Sequence, residues 1–244
     1  MSEIIFIHGA GDSSAVWSLQ TAHYAAAHHA LAIDLPGHGA RLAETGNDRH
    51  EANAAEVCRL MDQASMARAV IVGHSMGGGV ALTLALNHPA RVRALVLVAT
   101  GARLKMRPDF IEQAAKSAAE FGNRKPAHTH IIPAAQMVHP DIPADIVHAL
   151  ESMIGDASAQ ATYGDFQANN NFDVMARLPE IKVPTLVIGG DADKMAPEKF
   201  CRFLADSIAS ARIEMLTPCG HYPQVEQEQA FHRALDAFLS SLPA

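Results

Sequence analysis

The sequence predicts an α/β fold: a doubly wound, six-stranded, mostly parallel sheet with helices on both faces and a helical insertion. Two observations carry this. Six short runs are almost continuously apolar, as parallel strands covered on both faces are. Helix-patterned stretches lie between them, and such alternation closes as an open parallel sheet. A third observation, the failure of that alternation between Gly101 and Pro179, locates the insertion.

The predicted strands are Ile4–Ile7, Ala30–Asp34, Ala69–Gly73, Ala94–Thr100, Thr185–Gly189 and Ile213–Thr217, each ending in glycine, aspartate or a small polar residue. One helix opens "DRHEANAAEVCRLMDQA", where Asp48 and Glu51 have capping-box spacing and Val57, Leu60 and Met61 mark an apolar face. Another follows Ser75 and stops at "NHP", because Pro89 cannot continue it. A third, Glu226–Leu239, closes the chain. Between Gly101 and Pro179 come helix-like segments at Asp109–Phe121 and Asp145–Ile154, and no convincing strand. That stretch is too long for a plain loop and too apolar for a disordered linker. It reads as a helical cap over the carboxyl ends of the strands, dividing the chain into a core (1–100 and 180–244) and a cap (101–179).

Composition excludes several classes of function. At 244 residues, 49% apolar and 18% charged, the chain suffices for one well-filled domain. A net charge of −7 without a basic block argues against nucleic acid and against an anionic membrane surface. Three widely spaced cysteines read as reduced thiols. Met1 is followed within three residues by the strand-like "IIFIHG", which leaves no room for a secretory leader, and no apolar run has membrane-spanning length. A cytoplasmic protein is expected; monomer and homodimer both stay open.

The chemistry centres on "VIVGHSMGGGVAL", Val70–Leu82. Here "GHSMG" follows a predicted strand and precedes a predicted helix, the context that gives G-x-S-x-G its meaning. A nucleophile on so sharp a turn adopts a strained backbone, and the residues two positions to either side are pressed together. Gly73 and Gly77 have no Cβ to collide there. Gly78 and Gly79 would let the helix press against neighbouring strands. Ser75 is therefore the candidate nucleophile.

A serine hydroxyl needs a base, and fourteen histidines offer themselves. Position selects His221 in "TPCGHYPQVEQ", on a loop after the last strand, at the sheet edge where Ser75 emerges. His28, His29, His50, His88 and His148 lie in or beside helical segments and are expected at the solvated surface. His128 and His130 form H-T-H without a carboxylate or cysteine close by, a poor metal motif. His74 is expected to pack and not to react. The base needs a carboxylate to fix its tautomer, and "GGDADKMAP" after the fifth strand offers Asp191 and Asp193. "FIHGAGDSSAVW" places His8–Gly9–Ala10 at the end of the first strand. A backbone N–H from this loop, with that of Met76, would make an oxyanion hole, whose donors are worth about 2.7–4 kcal/mol each.

With these motifs the chain resembles the α/β-hydrolase fold superfamily, in particular its small bacterial carboxylesterase-like serine hydrolases. The landmarks are "HGAG", "DLPGHG", "GHSMGGG", "VPTLVIGGDADKMAP" and "GHYPQVEQ", spanning Ile4–Thr100 and Pro179 onward. The resemblance implies the order Ser, Asp, His along the chain. Gly190, Asp193 and Pro197 match the family spacing G-x-x-D-x-x-x-P and favour Asp193 over Asp191, which is better placed to bond local backbone N–H groups. It gives Asp34 a loop-shaping role and Glu226 a structural one. The chain departs from most members in starting too late for their N-terminal hairpin, so the expected strand order is 2-1-3-4-5-6.

The expected activity is cleavage of small to medium carboxylic esters through an acyl-enzyme on Ser75, with His221 as base, Asp193 as its partner, and the N–H groups of Ala10 and Met76 as oxyanion donors. The resemblance implies no cofactor and no metal; the partner is a small ester. Met106, Phe110, Phe121, Met137, Met153, Phe166 and Phe172 are candidate pocket walls. Lactone or C–C bond hydrolysis with the same triad, cofactorless perhydrolysis, and a binding protein without turnover are the alternatives.

Overall fold

A computed structural model describes residues 1–126 and 131–243; His128 and His130 of the H-T-H motif lie outside the described residues. Six strands form one sheet: β1 (Glu3–Ile7), β2 (His29–Ile33), β3 (Ala69–His74), β4 (Val92–Val98), β5 (Thr185–Gly190) and β6 (Ala211–Leu216). Their order is β2-β1-β3-β4-β5-β6 and every pairing is parallel. The fold class and strand order expected from the sequence are those observed.

The continuous apolarity of the strands has the anticipated cause. Successive side chains point to opposite faces, and on the four inner strands, β1, β3, β4 and β5, both faces are covered. Ile5, Ile7, Ile71, Leu95 and Val187 belong to one buried cluster, while Ile4, Phe6, Val70, Val96 and Ile188 belong to another. Helices α1 (Ser18–Tyr24), α2 (His50–Gln63) and α3 (Met76–Asn87) follow the first three strands. Tyr24 of α1 enters the second cluster, and Val57 and Met61 of α2 enter the first. Helix α3 is buried from Met76 through Ala85, as expected of a helix apolar all round.

Between β4 and β5 come α4 (Pro108–Phe121), α5 (Ala134–Met137), α6 (Ala144–Met153) and α7 (Ala159–Asn171). The two ends of this segment are drawn together where the Val174 N–H meets the Ala102 carbonyl at 2.8 Å, beside an antiparallel bridge between Arg103 and Asp173. Helix α8 (Glu198–Ser207) precedes β6, and α9 (Pro223–Glu226) and α10 (Glu228–Ser241) follow it. Among the described residues, no helix is long and apolar enough to cross a membrane.

Two local expectations are corrected. Helix α2 has Arg49 at its cap with no side-chain capping bond, so Asp48 and Glu51 do not form a capping box. The helix begins at His50, which is drawn into the interior, and Asp48 is left outside the first turn. The closing helix is also interrupted: Gln227 at φ −131°, ψ 49° separates α9 from α10.

Candidate active site

Ser75 sits between the last residue of β3 and the first of α3 with φ 51° and ψ −115°. Side-chain-bearing residues avoid this region, and what keeps Ser75 there is a set of surrounding bonds. Its N–H donates to the Val98 carbonyl at 2.9 Å, and its carbonyl accepts from Thr100 Oγ1 at 2.7 Å and the Gly78 N–H at 2.9 Å. A Cβ on Gly73 would meet the Gly77 carbonyl oxygen at 2.2 Å, and one on Gly77 would meet the Ile7 carbonyl oxygen at 2.4 Å. Contacts that short require bare glycine on both sides of the elbow. Gly78 is closed in by Thr100, after a strand as anticipated, but Gly79 faces the ring of His50 from α2.

His221 Nε2 lies 3.1 Å from Ser75 Oγ, and its Nδ1 lies 2.9 Å from Asp193 Oδ2. The other Asp193 oxygen accepts the N–H groups of Met195 at 2.7 Å and Ala196 at 2.9 Å. Burial alone would raise the Asp193 pKa, but the His221 charge and these hydrogen bonds hold it below the usual carboxylate range. Burial likewise opposes a charged His221; Asp193 overcomes it and carries the imidazole above its ordinary pKa. Asp191 points elsewhere. Its oxygens accept the Thr217 hydroxyl at 2.6 Å and the Cys219 N–H at 3.0 Å.

The loop bearing His221 is tied down from several directions. The Glu226 carboxylate accepts the N–H groups of Gly220 (2.7 Å), Tyr222 (2.8 Å) and His139 (2.8 Å). The His221 N–H donates to the Met137 carbonyl at 2.7 Å. His74 does more than pack: its Nε2 is 2.7 Å from the His221 carbonyl oxygen. Burial and the neighbouring His221 push its pKa down to about 3, so the ring is neutral and Nε2 carries the hydrogen.

Ala10, on the loop after β1, lines the same cavity as Ser75. Neither its N–H nor that of Met76 meets an acceptor among the described residues. Asp34 accepts the N–H groups of Ser14 at 2.7 Å and Ala40 at 2.9 Å, and so shapes the neighbouring loop.

Two adjoining chambers open on Ser75 and His221. The inner, of about 80 Å³, is lined by Gly9–Asp12, His74, Thr162, Phe166 and Tyr222 among others. The outer, of about 650 Å³, runs between the start of the β4–β5 segment and α8. Of the seven candidate wall residues, Met106 lines both chambers, Met137 and Phe166 the inner, and Phe110 the outer. Phe121, Met153 and Phe172 line neither. Phe172 is buried in the core, and Met153 packs against the cluster on the other face.

His50 is a further correction. It is buried, not solvated, with Phe172 edge-on at 4.6 Å and the open face of Gly79 beside it. Burial takes its pKa down to about 4, so the core holds a neutral ring. No three His, Cys, Asp or Glu side chains among the described residues converge as metal ligands.

Two acids escaped the sequence reading. Asp12 lines the inner chamber, accepts the Tyr222 hydroxyl at 3.2 Å, and is pushed by burial up to about 7. Its signal was there: it is the one acid in "HGAGDSS". Asp165, on α7, accepts the N–H of Gly11 and lies 2.9 Å from His38 Nε2. Nothing in its local sequence marks it.

Comparison with known proteins places this arrangement among relatives. The model of the Alpha/beta hydrolase family matches residues 4–234. A Variovorax paradoxus (strain S110) protein provisionally named carbamate hydrolase RutD is 32% identical, over 99% of this chain and 92% of its own. The pimeloyl-[acyl-carrier protein] methyl ester esterase of Neisseria meningitidis serogroup C is 29% identical, over 95% and 91%. Among solved structures, the enol-lactonase of Burkholderia xenovorans LB400 superposes with a TM-score of 0.87 at 26% identity, covering 98% of this chain and 92% of that one.

Proposed function

The chain belongs to the alpha/beta hydrolase family and is a hydrolase, and from that premise we propose that it cleaves small to medium carboxylic esters through an acyl-enzyme on Ser75. One observation carries the reading: an unbroken line from Ser75 Oγ through the His221 ring to Asp193, at 3.1 and 2.9 Å. His221 Nε2 takes the Ser75 proton as Oγ attacks the acyl carbonyl. The tetrahedral oxyanion is met by the N–H groups of Ala10 and Met76, held in place before the charge develops. Protonated His221 then gives its proton to the leaving alcohol. In the second half His221 deprotonates a water, which attacks the acyl-enzyme and frees Ser75. Asp193 keeps the Nδ1–H of the ring directed toward itself and offsets the charge formed in both halves.

Residues 101–179 form a cap in this reading, and Met106, Phe110, Met137 and Phe166 contact the substrate. The lactonase alternative keeps its place beside the ester reading, because the enol-lactonase structure shares nearly the whole fold and a lactone is an ester closed on itself.

Hydrolysis of p-nitrophenyl acetate or butyrate tests the proposal. Ser75→Ala should fold normally and lose several powers of ten in turnover, on the order of 10⁴ or more. Purified Ser75→Ala with near-wild-type turnover would end the acyl-enzyme mechanism. A parallel panel of lactones ranks the second reading against the first.

A further inference from the structure

The whole chain carries a net charge of −7, yet the outer chamber is lined by Arg103, Lys105, Arg107, Lys194 and Lys199, and by no carboxylate among its described residues. All five are exposed, so their charges ring the mouth while Leu104, Met106, Phe110 and Phe200 form apolar walls. Two of the five are matched by carboxylates outside the lining: Arg107 grips Asp109 through two bonds of 3.0 and 2.6 Å, and Arg103 lies 3.7 Å from exposed Asp173, a pair of the kind that contributes little. Among the described residues, the three lysines have no carboxylate in salt-bridge reach and carry the uncompensated charge. Lys105 donates to the Asn170 carbonyl, and Lys199 stands 5.8 Å from the centre of the Phe200 ring.

A second observation points to the same place. Apart from Met1, the large apolar side chains that stand exposed among the described residues are Met175 and Phe203, at 39% and 38%. Both line this chamber. Exposed apolar groups gathered at one cleft mark a binding surface. The inner chamber, about 80 Å³, is too small for a chain, so any long group on the scissile ester must lie in the outer one, of about 650 Å³.

We infer that the outer chamber takes esters whose apolar chain ends in an anion, a carboxylate or a phosphate, with the ester at Ser75 and the anion among the cations of the mouth. This rests on Ser75 as the reacting residue, so binding and turnover are measured apart. Ser75→Ala is titrated calorimetrically with monoethyl adipate and with ethyl hexanoate, its uncharged counterpart of equal chain length. The charged ester should bind about tenfold more tightly at low salt, the summed effect of several exposed pairs. High salt should erase the difference by screening, and the double substitution Lys194→Gln, Lys199→Gln should shrink it several-fold. Ethyl 6-(phosphonooxy)hexanoate forms a further arm, and the tighter of the two charged esters identifies the anion. Equal or weaker binding of both charged esters, or a preference indifferent to salt and to the lysines, would overturn the inference.

Wild-type kcat/KM for the same esters supplies the independent reading. Charge preference in binding without turnover keeps the anion site and removes the esterase. Turnover without charge preference does the reverse.

Discussion

The carboxylate of Asp165 accepts the backbone N–H of Gly11 at 2.9 Å, joining α7 to the loop that carries Ala10. The same oxygen is 2.9 Å from Nε2 of His38, whose pKa is depressed by burial but raised further by Asp165, so that the net shift is upward. The loop after β1, which carries the proposed oxyanion donor Ala10, is therefore held from the β4–β5 segment and not by its own strand alone.

Asp165→Ala should cost about 3 kcal/mol of stability, because it leaves Nε2 of the buried His38 ring and the buried Gly11 N–H unpartnered. In the folded variant kcat should fall about tenfold or more with little change in KM, since a displaced Ala10 N–H is felt in the transition state. Asp165→Asn, which keeps one acceptor, should recover part of both. An unchanged kcat in well-folded Asp165→Ala would limit Asp165 to packing.

Asp193 and Asp191 should respond in opposite ways. Asp193→Asn should lose about 10⁴-fold in turnover, because an amide next to Nδ1 directs the imidazole into the wrong tautomer. Asp191→Asn should keep most activity and lose about 1 kcal/mol of stability as its bonds to Thr217 and Cys219 weaken. Thermal melts and p-nitrophenyl ester rates on the two proteins decide it; comparable activity losses would contradict the assignment.

The acid limb of kcat/KM should lie above 6.5, the ordinary imidazole value, because His221 must be neutral to act and its pKa is raised. Activity is lost as pH falls through that raised value. Removing the Asp193 charge removes the main cause of the rise, so residual activity in Asp193→Asn should persist to lower pH. A limb at or below the ordinary value in the wild type would show that burial outweighs the carboxylate.

Asp12 makes a separate prediction about stability. Its pKa is raised from 3.8 in the unfolded chain to about 7 in the fold by burial. The folded state then holds the proton more tightly, so the contribution is full below 3.8 and is lost as pH rises through the window to about 7. The loss is on the order of 4 kcal/mol. Asp12→Asn has no such proton, so the difference in stability between wild type and Asp12→Asn should shift by that amount across the window, whatever other groups add equally to both. Chemical denaturation at several pH values would refute this if the two proteins lost stability in parallel.

Much of this architecture could be read from the residues. The four inner strands were legible because burial on both faces forces continuous apolarity, whereas edge strand β6 alternates exposed Arg212 and Glu214 with half-buried neighbours and was legible only by its place in the strand–helix alternation. Ser75 was legible because its elbow requires Gly73 and Gly77, a constraint written within five positions. The failures share another cause. His50 looks like a helix-surface residue until Gly79 and Phe172 are known to enclose it, and those lie in other elements. Phe172 and Phe166 are both apolar residues of the same segment, yet one joins the core and the other faces the inner chamber. Periodicity marks a buried face without saying whether atoms or solvent lie across from it. Asp165 meets its partners 127 and 154 positions away, a distance at which no local pattern exists.

The seat of His221 on the Met137 carbonyl carries a consequence for recombination. A Cβ on Gly220 would meet that carbonyl oxygen at 2.4 Å and the His139 N–H nitrogen at 2.7 Å, and His139 in turn shares the Glu226 carboxylate. The stretch from Met137 to His139 and the stretch from Gly220 to Glu226 are thus one interlocked part built from two distant pieces of chain. Exchanging the β4–β5 segment with that of a relative is not an exchange of a detachable module. A chimera that imports a foreign segment without its matching histidine loop loses the floor on which the imidazole stands, whatever it gains in pocket shape.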